Sequence, residues 1–268
     1  MEVLEFGECF PDDPQKPIFT IVVYKIDDDY YTARISERGI DKSDITRSKL
    51  EDVVIIPKTA FQPRYSAQQF TLVQPTGSHF VKRASLISYH HIDRVGNDRI
   101  AQDLLQEAQV CEWLRRHSHR NIAEYIGCET DDGRIAGLCF TRYKDSLMQR
   151  LNPGSLNERA FAASAHIDQG WCNDILTGIK NALHHLHSLN LVHNDLNPAN
   201  IMLDHEDIPK LIDFGSCRQV GETLKNVGRT YEWYDERVQY ADKSNDLDAL
   251  SEIGAWMRGE MDGFKFEE

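Results

Sequence analysis

Residues 191–215 read LVHNDLNPANIMLDHEDIPKLIDFG, three short apolar segments that carry polar side chains suited to phosphate chemistry. In phosphoryl transfer, a carboxylate orients the attacking hydroxyl and accepts its proton. The triphosphate needs a magnesium ion, which is held by a carboxylate and a neutral oxygen ligand. Asp195 suits the first role, and Asp213 and Asn200 suit the second. The stretch therefore predicts a phosphoryl-transfer site.

The same stretch resembles two motifs of the protein-kinase family. Residues 193–200, HNDLNPAN, are similar to the catalytic-loop motif H-R-D-L-x-x-x-N, and residues 213–215 are the D-F-G motif. The resemblance spans roughly Phe70 to Met257. It implies that Asp195 is the catalytic base, that Asn200 and Asp213 are magnesium ligands, and that ATP is the phosphate donor.

Two residues upstream fit the resemblance. Lys82 ends the apolar run Phe80–Lys82, as the phosphate-binding lysine does in the family's V-A-I-K motif, and Glu107 lies on the next amphipathic helix. The resemblance implies that Lys82 contacts the α- and β-phosphates and that Glu107 orients it. Taken alone, a strand lysine and a helix glutamate are ordinary surface residues, and Glu112 follows Glu107 by little more than one turn.

Three further segments have counterparts in the family. The resemblance places the backbone of Thr141, Arg142 and Tyr143 where it would pair with adenine. Residues 234–236, YDE, look like a divergent A-P-E end of an activation segment. Asp246 resembles the aspartate that holds the catalytic loop through backbone N–H groups. It is equally an acid favoured by the dipole of a helix N-terminus, and the two interpretations are compatible.

The sequence departs from the family pattern in its charges and glycines. Residues 57–69, where the glycine-rich loop is expected, contain no glycine. Asn197 replaces the lysine that serine/threonine kinases carry two residues after the base. The positive charge that stabilises the transferring phosphoryl group is therefore missing. Asn194 replaces the usual arginine, which predicts activity that does not depend on phosphorylation of the activation segment. The cations that could compensate for Asn197 are Arg218, Lys225 and Arg229.

The pattern of apolar residues predicts an α+β, two-lobed arrangement. The resemblance implies that this is a protein-kinase-like fold with a β-rich N-lobe and a shortened helical C-lobe. The predicted strands are 18–26, 30–35, 53–56, 70–74, 78–84, 134–140, 191–192, 200–203 and 210–212. Residues 75–77, PTG, suggest a hairpin turn. Helices are predicted from near Ile100, from Trp171 to about Leu189, and over residues 246–257. The expected division is 1–52 as an N-terminal β-rich extension, 53–140 as the N-lobe and 141–268 as a truncated C-lobe.

The last predicted helix is apolar on several sides, which is typical of a buried helix. Only 22 residues follow Asp246 in this chain, so the later helices of a kinase C-lobe have no counterpart here. We expect a second subunit, in a homodimer, or the extra N-terminal residues to cover this helix.

Charge and composition narrow the partners and the compartment. The 43 acidic and 30 basic residues give a net charge of −13, which argues against nucleic acid and anionic membranes as partners. The six cysteines are scattered, no secretory signal or apolar span is visible, and the pattern favours an intracellular, cytoplasmic protein. His184, His185 and His187 point in different directions on a helix, so a zinc site is not expected there.

Two functions remain open from the sequence. The first is an ATP- and Mg²⁺-dependent phosphotransferase that acts on a protein serine or threonine, or on the hydroxyl of a small molecule. The second is a pseudokinase, a nucleotide-binding or scaffolding module without turnover. The missing glycines and Asn197 favour the second, whereas intact Asp195, Asn200 and Asp213 favour the first.

Overall fold

A computed structural model describes residues 1–9, 19–91, 98–154, 168–231 and 233–260. The chain forms two compact units. The first comprises Met1–Leu72, Val81–Gln106 and Cys128–Leu138, and the second comprises Val73–Phe80, Glu107–Gly127 and Cys139–Glu268. The predicted α+β class is confirmed, because strands dominate the first unit and helices the second.

A four-stranded antiparallel sheet begins the first unit, in the order β1-β2-β3-β4. Its strands are β1 (Glu2–Cys9), β2 (Phe19–Ile26), β3 (Asp29–Ile35) and β4 (Glu51–Ile56). The predicted hairpin of β2 and β3 is confirmed, although Ile18 lies outside the described residues. Its turn includes Asp27 at φ +52°, a conformation that aspartate tolerates better than most residues. Strand β1 was not predicted.

Both faces of the central strands of this sheet carry buried side chains. Alternate side chains of a strand point to opposite faces, so neighbours in β2 belong to different clusters. Val22 and Tyr24 pack with Ala33 and Ile35 on one face. On the other face, Val23 packs with a cluster formed by Ile56, Ala60, Phe61, Leu86, Tyr89 and Ile100. The sheet therefore organises the core of the first unit.

A second sheet has three strands, in the order β5-β7-β6. They are β5 (His79–Lys82), β6 (Tyr125–Asp131) and β7 (Arg134–Thr141). The predicted strand at residues 70–74 is wrong, since Leu72 forms only an isolated parallel bridge with Cys128. The segment meets β6 at one point only, where the Cys128 N–H donates to the Thr71 carbonyl at 2.8 Å. Because β5 pairs with β7, the PTG turn joins no hairpin. Strand β6 was missed because Gly127 interrupts its weak alternation of apolar residues.

Four helices are described: α1 (Arg99–Arg116), α2 (Leu147–Leu151), α3 (Gln169–Ser188) and α4 (Lys243–Arg258). All three predicted helices are present. Capping fixes their ends. Asp168 accepts a hydrogen bond from the Trp171 N–H at 2.7 Å, and Asp242 accepts one from the Ser244 N–H at 2.8 Å. Gly259, at φ +67°, ends α4 in the left-handed conformation that glycine adopts most readily.

The core of the second unit is built around α3. This helix buries Ile175, Ile179, Leu183 and Leu186 and packs against α4. Helix α4 buries Ile253, Trp256 and Met257, but Leu247 is 42% exposed. The apolar residues of α4 are therefore covered in part by α3 of the same unit. The homodimer remains a prediction.

Short strands position the loops of the second unit. They are β8 (Asp145–Ser146), β9 (Leu191–Val192), β10 (Ile201–Leu203), β11 (Pro209–Leu211) and β12 (Arg218–Gln219). Strand β10 lies between β11 and β8, and β12 pairs with β9. The predicted strands at 191–192, 200–203 and 210–212 thus form within one residue of their expected bounds. Strand β9 precedes Asp195, and β10 and β11 lie between Asp195 and the D-F-G motif.

Within the described ranges, no helix has the length and apolar character needed to cross a membrane. The sheet formed by β1 to β4 includes Glu51–Ile56, so strand pairing continues past residue 52. The division at residues 52 and 140 stays a prediction.

Candidate active site

The loop between β9 and β10 is shaped by Asn197. Its side-chain oxygen accepts hydrogen bonds from the N–H groups of Ala199 (2.9 Å) and Asn200 (3.3 Å), which caps the short 3-10 helix Pro198–Asn200. Its amide nitrogen donates to the carbonyl oxygen of Asp195 (3.1 Å) and to Thr230 Oγ1 (3.0 Å). Asn197 is 1% exposed, and these bonds give it a structural role in the loop.

The carboxylate of Asp195 lies inside a network of hydrogen bonds. Its Oδ1 accepts from the Thr230 N–H at 2.7 Å. Its Oδ2 accepts from Thr230 Oγ1 at 3.1 Å and from Asn200 Nδ2 at 3.0 Å. These donors fix the orientation of the carboxylate, as a general base requires. Thr230 was not identified from the sequence, although its position shortly before residues 234–236 was a usable signal.

Asn200 joins the catalytic loop to the D-F-G segment. Its amide nitrogen donates to the carbonyl oxygen (2.9 Å) and to the carboxylate of Asp195. This pairing leaves the side-chain oxygen as the atom that faces away from Asp195. The Ile212 N–H donates to the backbone carbonyl of Asn200 at 3.0 Å, and His193 Nε2 pairs with the Ile212 carbonyl at 2.9 Å. The structure thus brings Asp195 and Asn200 together, next to the residue that precedes Asp213.

Asp213 has the left-handed backbone conformation, with φ +63°. Aspartate tolerates this region better than most residues other than glycine. The Asp213 carboxylate accepts a hydrogen bond from the Gly215 N–H at 3.3 Å. Phe214 is 1% exposed and packs edge-on against His193, with ring centroids 5.7 Å apart. These contacts hold the D-F-G segment against the catalytic loop.

Glu107 and Glu112 both lie on α1 and are equally buried, yet their partners differ. Glu107 Oε1 accepts a hydrogen bond from the Phe214 N–H at 3.2 Å. Glu112 instead accepts from Arg115 Nε at 3.2 Å. The structure therefore places Glu107, rather than Glu112, beside the D-F-G motif.

Asp246 is fully buried, and its carboxylate holds the catalytic loop through hydrogen bonds. Its carboxylate accepts hydrogen bonds from the backbone N–H groups of His193 (2.9 Å) and Asn194 (2.9 Å), and from His187 Nε2 (2.8 Å). Asp246 also lies in the first turn of α4. The predicted backbone contacts are confirmed, and the two interpretations of Asp246 are both correct.

The Asn194 side chain contacts neutral groups. Its amide nitrogen donates to the carbonyl oxygens of Val192 and Ser216, and its oxygen accepts from Asn245. The neighbouring Cys217 is buried, and burial together with the charge of Asp246 raises the pKa of its thiol. A neutral thiol is a poor nucleophile, so Cys217 is a packing residue.

The residues expected to contact adenine lie where β7 ends. The Thr141 N–H donates to the Glu124 carbonyl at 3.0 Å, and the Arg142 N–H donates to the Ser78 carbonyl at 3.2 Å. Within the described ranges, the Tyr143 N–H makes no hydrogen bond. Of the three predicted residues, Tyr143 is thus the one whose amide is available to a ligand. Burial raises the pKa of its phenol, whose oxygen accepts from the Glu124 N–H.

Lys82 lies on β5, in the first unit, and its side chain is half-buried. Gly137 of β7 packs closely against this strand: a Cβ atom there would lie 2.6 Å from Val81 and 3.2 Å from the Lys82 carbonyl oxygen. The residues without glycine, 57–69, run beside β6 and β7, where the Ile135 N–H donates to the Pro63 carbonyl at 2.8 Å. The role of Lys82 stays a prediction.

The three candidate cations have different surroundings. Arg218 donates to the carbonyl oxygens of Gly215 (3.0 Å) and Cys217 (2.8 Å), and Lys225 is exposed. The Arg229 guanidinium lies 4.1 Å from the centre of the Tyr234 ring. Burial lowers the pKa of Arg229, although the charges of nearby groups, Asp195 included, act in the opposite direction.

The donor atoms present suit magnesium. The Asp213 carboxylate and the Asn200 amide oxygen are hard oxygen ligands of the kind that Mg²⁺ takes, and Mg²⁺ is commonly bound by one or two protein groups plus phosphates. Among the described residues, no group of three or more His, Cys, Asp or Glu side chains could hold a metal by itself. The residues therefore fit a magnesium ion that is shared with bound phosphates.

Comparison with known proteins agrees with this geometry. The family model of the protein kinase domain matches residues 82–252, which is more than half of the chain. Serine/threonine-protein kinase TAO1-B of Xenopus laevis is 30% identical over 161 residues, covering 59% of this chain and 14% of that protein. Serine/threonine-protein kinase C of Synechocystis sp. is 30% identical over 127 residues, covering 46% of this chain and 24% of that protein.

A third relative, mitogen-activated protein kinase kinase kinase 2 of Arabidopsis thaliana, is 30% identical over 125 residues, covering 45% of this chain and 17% of that protein. In each case the matched region is at most a quarter of the relative's length. The motifs at 193–200 and 213–215, their contacts and the match over residues 82–252 lead to one conclusion: this chain belongs to the protein kinase domain family.

Proposed function

We propose that this chain transfers the γ-phosphate of ATP to a hydroxyl group, with Asp195 as the general base. The observation that carries the proposal is the network in which Thr230 and Asn200 fix the Asp195 carboxylate. A hydroxyl that approaches Asp195 would donate its proton to the carboxylate as its oxygen bonds to the γ-phosphorus. The bond from the γ-phosphorus to the ADP oxygen breaks in the same transfer.

The remaining site residues take the roles that the family implies. Asn200 and Asp213 would hold Mg²⁺, which neutralises charge on the phosphates. Lys82 would contact the α- and β-phosphates, with Glu107 as its orienting partner. Thr141, Arg142 and Tyr143 would face adenine, with the Tyr143 N–H as the donor. The acceptor is a serine or threonine of a protein, or the hydroxyl of a small molecule.

Nucleotide binding without turnover is the second candidate. The observation that favours it is the bonding of Asn197, whose polar atoms all serve the loop and none of which brings charge to a phosphoryl group. A module that binds ATP and presents a surface to a protein partner needs no such charge. The two candidates agree on binding and differ on transfer.

A thermal-shift titration with ATP and magnesium tests the shared claim. A ligand that binds only the folded state at a hundred times its Kd stabilises it by about 2.7 kcal/mol, which is several degrees in Tm. We expect this shift in the wild type and its loss in Asp213→Ala. The matched control is Asp174→Ala, which removes an exposed carboxylate from α3 and should keep the shift. A wild type that does not shift would contradict both candidates.

Transfer of radiolabelled γ-phosphate to casein, and to the chain itself, separates the two. We expect label in the wild type and a loss of about 10²-fold or more in Asp195→Asn, the scale of a general base. An ATP-dependent thermal shift without label in any acceptor would favour the module without turnover.

A further inference from the structure

The active-site loop of this chain lacks a cation at residue 197. The side-chain oxygen of Asn197 accepts from two backbone N–H groups, and its nitrogen donates to Asp195 and Thr230. Even a rearranged Asn197 would bring no charge to a phosphate. Because phosphoryl transfer depends mainly on positioning and electrostatic stabilisation, another cation must supply the charge if transfer is efficient.

Two of the three cations of the activation segment are poorly placed for this. The Arg218 guanidinium is used by the carbonyl oxygens of Gly215 and Cys217, where it stabilises the turn after the D-F-G motif. Lys225 is exposed, and within the described ranges its amine makes no hydrogen bond or ion pair. Holding a flexible lysine in one position from solvent costs side-chain entropy.

Arg229 differs because its position is fixed relative to Asp195. The next residue, Thr230, bonds to both carboxylate oxygens of Asp195, at 2.7 and 3.1 Å. Arg229 itself is half-buried, stacks at 4.1 Å on Tyr234 and donates from Nη2 to the Val238 carbonyl at 3.3 Å. The Arg229 side chain is thus held by two contacts of its own, and the Asp195 charge is close enough to act on its pKa.

The guanidinium of Arg229 is not fully hydrogen-bonded by the described residues. Its Nε is buried and has no hydrogen-bond partner among the described residues. A guanidinium is planar and carries its N–H donors in a fixed fork. Such a fork matches the oxygens of a phosphoryl group, and partial burial strengthens the attraction.

We propose that Arg229, held over the ring of Tyr234, supplies the positive charge that stabilises the transferring phosphoryl group. Residue 197 lacks this charge. The proposal rests on the proposed function, since it assigns a contact within that transfer. Tyr234 acts as the positioning residue. The arrangement explains how Asp195, Asn200 and Asp213 can be retained without a lysine at residue 197.

The experiment compares the wild type with Arg229→Gln, Arg229→Lys and the control Lys225→Gln, which removes a charge from the same segment. Transfer to casein gives kcat and both KM values. Loss of a charge that acts only in the transition state lowers kcat by about 10²-fold or more and leaves KM for ATP within about threefold. Arg229→Lys keeps the charge without the planar fork, and we expect at least a tenfold recovery over Arg229→Gln.

Calorimetry gives a readout that needs no turnover. Magnesium, ADP and aluminium fluoride together mimic the transferring phosphoryl group, whereas magnesium and ADP alone do not. We expect Arg229→Gln to weaken binding of the fluoride complex at least tenfold and to leave ADP binding unchanged. The Lys225→Gln chain should match the wild type in both titrations.

Each failure has its own signature. Equal kcat and equal fluoride-complex affinity for Arg229→Gln and the wild type would overturn the assignment of Arg229 and leave the proposed function standing. A change confined to KM for casein would also overturn it, because Arg229 would then bind the acceptor. A wild type that binds neither nucleotide form would remove the proposed function itself.

Discussion

Replacing Asp246 by asparagine tests how the catalytic loop is held. The substitution keeps the shape of a fully buried side chain and removes its charge. One of its two carboxylate oxygens becomes an NH₂ group, which faces a backbone N–H donor of His193 or Asn194. A donor then faces a donor, and one buried N–H group loses its partner.

The expected cost follows from these contacts. A hydrogen bond to a charged group contributes about 1.5–3 kcal/mol, and an unsatisfied buried donor costs about 1–3 kcal/mol. One bond is lost, the remaining bonds become neutral, and the total is about 3–5 kcal/mol. This is a large part of the roughly 5–15 kcal/mol that stabilises a typical protein. Asp246→Ala should cost more, because it leaves two backbone donors and His187 without the carboxylate.

Tryptophan fluorescence during urea unfolding measures the effect where it occurs. The chain has four tryptophans, Trp113, Trp171, Trp233 and Trp256, and all of them lie in the second unit. With a slope of about 2–3 kcal/mol/M, a loss of about 4 kcal/mol lowers the urea midpoint by about 1.5 M. The signal therefore reports the unit that contains Asp246.

Asp248→Asn provides the matched control, since Asp248 lies on the same helix and is exposed. A surface substitution of this kind changes stability by less than about 0.5 kcal/mol. If Asp246→Asn and Asp248→Asn gave the same urea midpoint, the three hydrogen bonds to Asp246 would not be holding the loop, and the reasoning would be refuted.

Three further substitutions test other contacts. Thr230→Val removes the hydrogen bond from the hydroxyl to Asp195 but keeps the one from the backbone N–H. We expect kcat for transfer to fall by about tenfold, the effect of one hydrogen bond of about 1.4 kcal/mol. An unchanged kcat would contradict this. Gly178→Ala places a Cβ atom 2.5 Å from Pro209 and should destabilise the second unit by about 1–3 kcal/mol. This cost is larger than the gain from the higher helix propensity of alanine. A higher urea midpoint would instead show that the contact relaxes. Burial acts to raise the pKa of Asp204, but backbone N–H groups of Ile208 and Glu206 and the Lys210 side chain lower it overall from 3.8. Because this pKa is lowered by folding, the stability advantage of the wild type over Asp204→Asn is present above about pH 4 and disappears as pH falls further. An advantage that grows in acid would contradict this prediction.

The local chemistry of the site was predictable from the sequence. The spacing of Asp195, Asn200 and Asp213 is a property of the chain, and short apolar strands around them follow from the pattern of residues. The same holds for Asp246, whose resemblance to the family's loop-holding aspartate indicated its contacts. Local propensity and motif spacing act over a few residues, which is why the short strands around these residues and the backbone contacts of Asp246 were predicted correctly.

Contacts between distant segments were not predictable. Thr230 bonds to Asp195 across 35 residues, and Phe214 bonds to Glu107 across 107. The choice between Glu107 and Glu112 needed the direction of α1, and the choice among Arg218, Lys225 and Arg229 needed the path of the activation segment. The strand expected at 70–74 is wrong for a related reason, because its pairing with the distant strand β6 is limited to a single bridge at Leu72.

The sequence by itself determined the family, the three polar residues of the site and the main helices, since these depend on residue types at short, fixed spacings. Only the tertiary structure decided which side chains complete the site. Asn197 bonds to its own loop and to Thr230, Thr230 bonds to Asp195, and the neighbouring Arg229 lies over the ring of Tyr234. The reason is physical: electrostatic effects on a reacting group depend on distance in space, and folding sets that distance independently of separation along the chain.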